Sequence, residues 1–598
     1  MESRPIAAKP EKLAKVFRQV AARAAKLLGN FAKKHPQPGA ISDELGIAKA
    51  YMDIYVRMLA DPMALATHSM DMWLDYAQLW QSSWMKLFGQ DVKPSAVPAT
   101  SDARFNDDGW ANNFLFDFIK QSYLIASRSI LHTVSSVDGI SDESQKKVAF
   151  FTRQYVDALA PSNFVMTNPQ VLRETLATGG QNLVRGLNNL LADIEKGDGQ
   201  LRISMTDETA FQLGKNVATT PGKVVFQTDL MQLIQFLPTT QEVYRRPLLI
   251  IPPWINKYYV LDLREKNSFI KWAVDHGHTV FVISWVNPDR SLAAKGFDDY
   301  MLEGPIAALD AVEKATGEAK VNVIGYCLGG TLLGCTLAYL AAKGEERIGC
   351  ASFFVSLLDF SEPGELGVFI DERQVANLEK KMNARGYLEG SEMAATFNLL
   401  RTNDLVWSFV INNYLLGKAP LPFDLLYWNS DSTRMPAKMH SFYLRNMYLK
   451  NLLGAPSGFE LNGVPIDLLR VKLPTYFIST EEDHIAPWKT TYKGAKHLGG
   501  TVRFVLGGSG HIAGIVNPPA AKKSHYWTNQ ETPLTPELWL ESAEQHAGSW
   551  WDDWQAWMER QTAGEKVSAR APGEFELQVI EDAPGSYAML RFGSKPPK

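Results

Sequence analysis

Cys327 sits in the segment Gly325-Tyr326-Cys327-Leu328-Gly329-Gly330, between an apolar strand-like run (residues 321–324) and an apolar helix-like run beginning near Thr331. A nucleophile with a glycine two residues before and two after marks a strand-to-helix turn too tight for side chains on its flanks. In such a turn the nucleophile is held in a strained backbone and exposed at the end of the strand. The positive end of the helix behind it favours the anionic form of a thiol, and the amide of Leu328 can donate to an oxyanion. The chemistry this suits is acyl transfer through a covalent intermediate on sulfur. The two other cysteines, Cys335 on the following helix and Cys350 just before a strand-like run, read as packing residues.

A sulfur nucleophile needs a base and an acid to orient that base. In α/β-hydrolase triads the order along the chain is nucleophile, acid, histidine, with acid and histidine each just past a strand end. Here the run 474–479 leads into Glu481-Glu482-Asp483-His484, and the run 501–506 leads into Gly507-Gly508-Ser509-Gly510-His511. His511 is the general base, taking the thiol proton or later that of an incoming hydroxyl. Asp483 orients His511 and stabilises its imidazolium. His484, next to the acid, is expected to point away from His511 and to play a supporting role. A second oxyanion donor is expected from Pro252-Pro253-Trp254-Ile255-Asn256-Lys257, after the run 248–251. The backbone amide of Ile255 is assigned that role, with Asn256 in support. Cysteine also carries a hint about substrate. Attack on a thioester exchanges one thioester for another, so the acyl group stays activated for transfer to an alcohol.

These residues need a scaffold. After about residue 205, short β-rich runs (248–251, 279–285, 321–324, 351–357, 474–479, 501–506) alternate with helical patterns such as 305–315, which stops at Gly317. That alternation predicts an α/β fold with a mostly parallel, doubly wound sheet. The gap 358–473 is too long for one crossover and must hold an inserted cap subdomain, with helix-like stretches such as 405–416. The expected organisation is a basic amphipathic arm (1–40), a mainly helical domain (41–205), and an α/β-hydrolase domain (206–598) with its cap at about 358–473. In the helical part Trp73, Tyr76, Trp80, Trp84 and Phe88 form an aromatic stripe, expected to be core or a subunit contact. Val148, Phe151, Tyr155 and Leu159 repeat the pattern, and residues 93–108 read as a flexible connection.

Composition closes off several alternatives. The 61 basic and 65 acidic side chains nearly balance at −4, unlike a dedicated nucleic-acid binder. Three cysteines in 598 residues exclude a disulfide scaffold and imply a reducing compartment. Residues 321–342 carry no charge but contain four glycines, so they read as strand, turn and helix, and no transmembrane helix is expected. No ligand spacing for a metal is found, and no cofactor is expected. The first 35 residues hold nine Lys/Arg against Glu2 and Glu11, with Leu13, Val16, Phe17, Val20, Leu27 and Phe31 at helical spacing. This arm suits an anionic surface; a transit peptide or a solvated arm has the same look.

The Cys327 segment resembles the lipase-like box of the polyhydroxyalkanoate synthases. So do Pro252-Pro253-Trp254-Ile255-Asn256-Lys257-Tyr258-Tyr259, Trp428-Asn429-Ser430-Asp431, Asp483-His484-Ile485, Gly510-His511-Ile512-Ala513-Gly514 and Gly548-Ser549-Trp550-Trp551, in the order of that family. The resemblance covers roughly residues 110–560; the strongly basic first 35 residues depart from it. It implies an enzyme that polymerises (R)-3-hydroxyacyl-CoA into polyester and releases CoA, with Cys327 carrying the chain as a thioester. It further implies a cap over a buried cysteine, a cytoplasmic homodimer at the surface of polyester granules with their coat proteins, and, from the length, the single-subunit class that prefers short-chain monomers such as 3-hydroxybutyryl-CoA. Two other readings remain at this point: a cysteine-dependent thioesterase or esterase of the same fold, and a non-catalytic granule or membrane coat protein.

Overall fold

A computed structural model describes residues 47–591 apart from 61, 91, 101, 138 and 200, so the arm expected over 1–40 lies outside the described residues. The chain divides into two compact units. One comprises the described part of Met1–Asp207 together with Phe397–Leu421, and the other Glu208–Thr396 with Pro422–Lys598.

The first unit is helical: α1 (Ile47–Ala60), α2 (Pro62–Leu87), α3 (Phe114–Ser135), α4 (Asp142–Ala158), α5 (Pro169–Ala177) and α6 (Gln181–Lys196). Side-chain caps fix several starts: Asn113 accepts from the amides of Leu115 and Phe116, and Asn168 from those of Gln170 and Val171. The aromatic stripe on α2 is not core within this chain, because Trp73, Trp80, Trp84 and Phe88 are all more than half exposed. The buried line runs instead through Leu79, Ala96 and Ile125. On α4, Val148 is buried while Tyr155 and Leu159 are exposed. The stretch expected as a flexible connection is pinned. The amides of Ser95 and Ala96 donate to Oε1 of buried Gln121 at 2.7 and 3.2 Å, and Phe105 is buried against Trp110. A single buried carboxamide here outweighs a turn-rich composition.

The stretch expected as a cap helix over 405–416 winds instead as π-helical turns, Asn403–Trp407 and Val410–Leu415, and belongs to the first unit. Wide turns leave backbone carbonyls free for other donors. The side-chain amides of Asn182 and Asn189 donate to the carbonyls of Leu415 (2.8 Å) and Asn413 (2.9 Å), and the Tyr414 hydroxyl donates to Asp193 (2.6 Å).

The second unit is built on a sheet with strands β1 (Gly222–Gln227), β2 (Met231–Phe236), β3 (Leu248–Ile251), β4 (Val280–Trp285), β5 (Val321–Tyr326), β6 (Ile348–Phe354), β7 (Thr475–Thr480), β8 (Val502–Gly507), β9 (His525–Thr528), β10 (Glu544–Ala547) and β11 (Glu581–Asp582). Their order across the sheet is β10-β9-β8-β7-β6-β5-β3-β4-β2-β1-β11. The six runs legible in the sequence form its contiguous parallel centre, from β8 to β4. Antiparallel strands extend both flanks. The centre reads as unbroken apolar runs because β3, β4, β5 and β7 are buried throughout.

Helix α7 (Ala307–Thr316) ends on the left-handed Gly317, as its sequence predicts. The uncharged stretch 321–342 is β5 and the start of α8 (Leu328–Lys343), and no helix among the described residues is long and apolar enough to cross a membrane. Near the C-terminus, α9 (Trp551–Thr562) buries Trp551, Trp554 and Trp557, with Trp550 just before it, against the ring of Phe269 and other aromatic groups. These tryptophans are core.

Candidate active site

Cys327 directly follows β5 and stands immediately before α8, with φ +52° and ψ −119°. A non-glycine residue there is strained, and the surroundings hold it. Its amide donates to Phe354 O at 2.9 Å, and its carbonyl accepts from the amides of Gly330 (2.9 Å) and Thr331 (3.3 Å). The glycines are needed for close approach: a Cβ on Gly329 would lie 1.9 Å from Ile251 O, and one on Gly325 2.4 Å from Gly330 Cα. The helix begins directly at Leu328 rather than near Thr331. Leu328 therefore has one of the first-turn amides that lack an intrahelical acceptor.

The acid and the histidine come from the turns after β7 and β8. Asp483 Oδ1 accepts from the amides of Ile485 and Ala486, both at 2.8 Å, which leaves Oδ2 to meet His511 Nδ1 at 2.7 Å. The Asp483 side chain is fully buried and that of His511 nearly so. His511 also lies close enough to Cys327 to feel its charge. Burial alone would pull the imidazole down, but the charges of Asp483 and Cys327 outweigh it and hold His511 up at about 10. The His511 turn is braced from below by the tryptophans before and on α9: Trp550 Nε1 donates to Gly514 O (2.8 Å) and Trp551 Nε1 to Ile515 O (2.9 Å).

The structure therefore brings together Cys327, Asp483 and His511. Ile255 is buried in the turn after β3, where its carbonyl accepts from the Thr433 amide at 3.2 Å, and Asn256 beside it is half-buried. His484 is half-buried next to the acid. Substituting His484 by glutamine is expected to leave turnover within about threefold of wild type, while His511→Gln loses it; equal losses in a steady-state assay would make His484 part of the relay.

Two residues were not legible as site residues. Tyr443, at the end of a short helix (Ala437–Tyr443), and Tyr448 both feel the charge of Cys327. Burial pushes both phenols up, and the Cys327 charge pushes them further. Their rings lie 5.5 Å apart, with Phe360 5.0 Å from Tyr448 and Trp254 6.3 Å from Tyr443. In the sequence they are two aromatic residues among many, and no spacing signals their place beside the sulfur.

Comparison with known proteins adds an independent finding. A family model described as "Poly-beta-hydroxybutyrate polymerase (PhaC) N-terminus" matches residues 101–273, and one described as "alpha/beta hydrolase fold" matches residues 246–518. The chain is 50% identical over 536 residues to a poly(3-hydroxyalkanoate) polymerase subunit PhaC of Rhizobium meliloti (strain 1021), covering 89% of this chain and 87% of that one. It is 47% identical to a poly(3-hydroxyalkanoate) polymerase of Methylorubrum extorquens, over 98% of this chain and 97% of that one. It is 41% identical to a poly(3-hydroxyalkanoate) polymerase subunit PhaC of Cupriavidus necator, over 86% and 87%.

Proposed function

The chain belongs to the poly(3-hydroxyalkanoate) polymerase family, and on that premise we propose that it polymerises (R)-3-hydroxyacyl-CoA into polyester and releases CoA, with Cys327 as the covalent carrier. What supports the reading is the Asp483–His511 pair set beside Cys327, which stands at the strained turn between β5 and α8.

In acylation, His511 takes the proton of Cys327, and the sulfur attacks the thioester carbonyl. The developing oxyanion is met by the amide of Leu328 and, from the turn after β3, that of Ile255. The CoA sulfur leaves and recovers the proton from the His511 imidazolium. In elongation, His511 takes the proton of a 3-hydroxyl, whose oxygen attacks an acyl thioester and forms the ester bond. Each cycle consumes one thioester, forms one oxoester and releases one CoA thiol, with no change of oxidation state. The reaction calls for no cofactor beyond the CoA thioester that is its substrate.

The exposed aromatic stripe on α2 supports contact with an apolar surface, either the growing polyester or a second copy of the chain. This is consistent with a homodimer working in the cytoplasm at granule surfaces, alongside granule-coat proteins. Short 3-hydroxyacyl groups such as 3-hydroxybutyryl are the expected monomers.

Product analysis tests the function. Incubation with 3-hydroxybutyryl-CoA should give CoA together with insoluble polyester. CoA accompanied by free 3-hydroxybutyrate and no polymer would instead make the chain a thioesterase.

A further inference from the structure

The loop of residues 252–257 carries the second oxyanion donor of the proposed mechanism, and its carbonyls are taken up by side chains and amides from elsewhere in the same unit. Trp285 Nε1 donates to Pro252 O at 2.8 Å, and the Thr433 hydroxyl donates to Trp254 O. The Thr433 amide donates to Ile255 O at 3.2 Å, and Trp428 Nε1 to Lys257 O at 2.7 Å. The Lys257 side chain makes a separate set of contacts. Its ammonium lies 3.0 Å from Asp431 Oδ2 and donates to the carbonyls of Ala588 (2.7 Å) and Leu590 (2.6 Å). Three acceptors match the three protons of an ammonium. The Tyr259 hydroxyl donates to the same Asp431 oxygen at 2.9 Å.

Ala588 and Leu590 belong to a C-terminal strap. It begins with β11, paired antiparallel to β1. Gln232 on β2 then bonds Ser586 Oγ (3.0 Å) and the Tyr587 amide (3.1 Å), and the Tyr587 hydroxyl donates to Thr228 O (2.8 Å). From there the strap reaches Lys257.

The Lys257 and Asp431 side chains are 2% and 0% exposed. Burial pulls the Lys257 ammonium down against the opposing pull of Asp431. Such a pair is weak evidence for stability, since apolar residues of similar volume often serve as well or better. What this one has is direction: it ties two distant segments (428–433 and 581–590) to the loop.

We propose that Lys257, Asp431 and the C-terminal strap are positioning elements for the oxyanion loop, so that the strap acts on the rate of acyl transfer without touching substrate. This rests on the acyl-transfer reading above. A loop held by its carbonyls and by one buried ammonium keeps the Ile255 amide fixed before charge develops, which is where such a donor gains its effect.

Steady-state CoA release from 3-hydroxybutyryl-CoA by full-length variants tests this. Lys257→Met is expected to lower kcat by about tenfold or more, a fraction of the ~10²–10³ that loss of a donor costs, with KM within about threefold. Trp428→Phe keeps an aromatic ring but loses the bond to the Lys257 carbonyl; Tyr587→Ala loosens the strap away from Lys257. Both should lower kcat with little change in KM. The Tyr587→Ala effect should largely vanish in the Lys257→Met background, because the two act through one contact. If Lys257→Met leaves buried Asp431 without its ammonium and fails to fold, Lys257→Met/Asp431→Leu removes both charges of the pair and gives the same reading. Unchanged kcat in the folded variants, or effects of Lys257→Met and Tyr587→Ala that simply multiply, would overturn the proposal. CoA release by the wild-type chain reports separately on the acyl-transfer reading.

Discussion

Cys327→Ala is expected to cut CoA release from 3-hydroxybutyryl-CoA by about 10⁴-fold or more while the chain stays folded. The alanine keeps a Cβ at the strained φ of +52°, so the turn between β5 and α8 has no new steric reason to move. What is lost is the sulfur, and with it the covalent route. Cys327→Ser keeps a nucleophile of similar shape but should also lose most of the rate, because an acyl-serine would be an oxoester and no longer activated for the next transfer. Release of CoA by Cys327→Ala at a rate near wild type, measured with a thiol reagent, would remove Cys327 from the chemistry.

Asp483→Asn is expected to cost nearly as much, about 10⁴-fold in kcat. Asp483 Oδ2 accepts from His511 Nδ1 at 2.7 Å, which leaves the other ring nitrogen able to accept a proton. A carboxamide can donate to Nδ1 instead and select the wrong tautomer. The same change removes the charge that helps hold His511 up at about 10, so the histidine titration should move down toward the ordinary value near 6.5. The pH dependence of stability has a definite sign. A histidine with a raised folded-state value contributes stability that is fully present below the unfolded value of ~6.5 and is lost as pH rises through about 10. The Tm gap between wild type and Asp483→Asn should therefore shrink as pH rises across that window. A gap that widens with pH, or an Asn variant with a near-normal kcat, would contradict the arrangement.

The parallel centre of the sheet was legible because buried parallel strands are continuous apolar runs, and Cys327, Asp483 and His511 because each follows such a run. The antiparallel flanks were not. β2 buries Gln232 and Gln235, so its polar residues hide a buried strand. The 405–416 stretch has an apolar pattern, yet its place with the first unit depends on Asn182, Asn189 and Asp193 meeting its backbone and Tyr414. The α2 stripe, expected to be core or a subunit contact, is not core within this chain, since regular aromatic spacing marks a face without saying what covers it. Lys257 and Asp431 were visible only as members of recurring motifs. Their pairing depends on a chain crossing that spacing does not encode.

The most direct measurement is peptide mapping of the wild-type chain quenched in acid during turnover of 3-hydroxybutyryl-CoA. The account predicts a hydroxylamine-sensitive 3-hydroxyacyl adduct, extended to more than one unit, on the peptide that contains Cys327. An adduct on another residue, or turnover to free acid with no acylated Cys327, would contradict it.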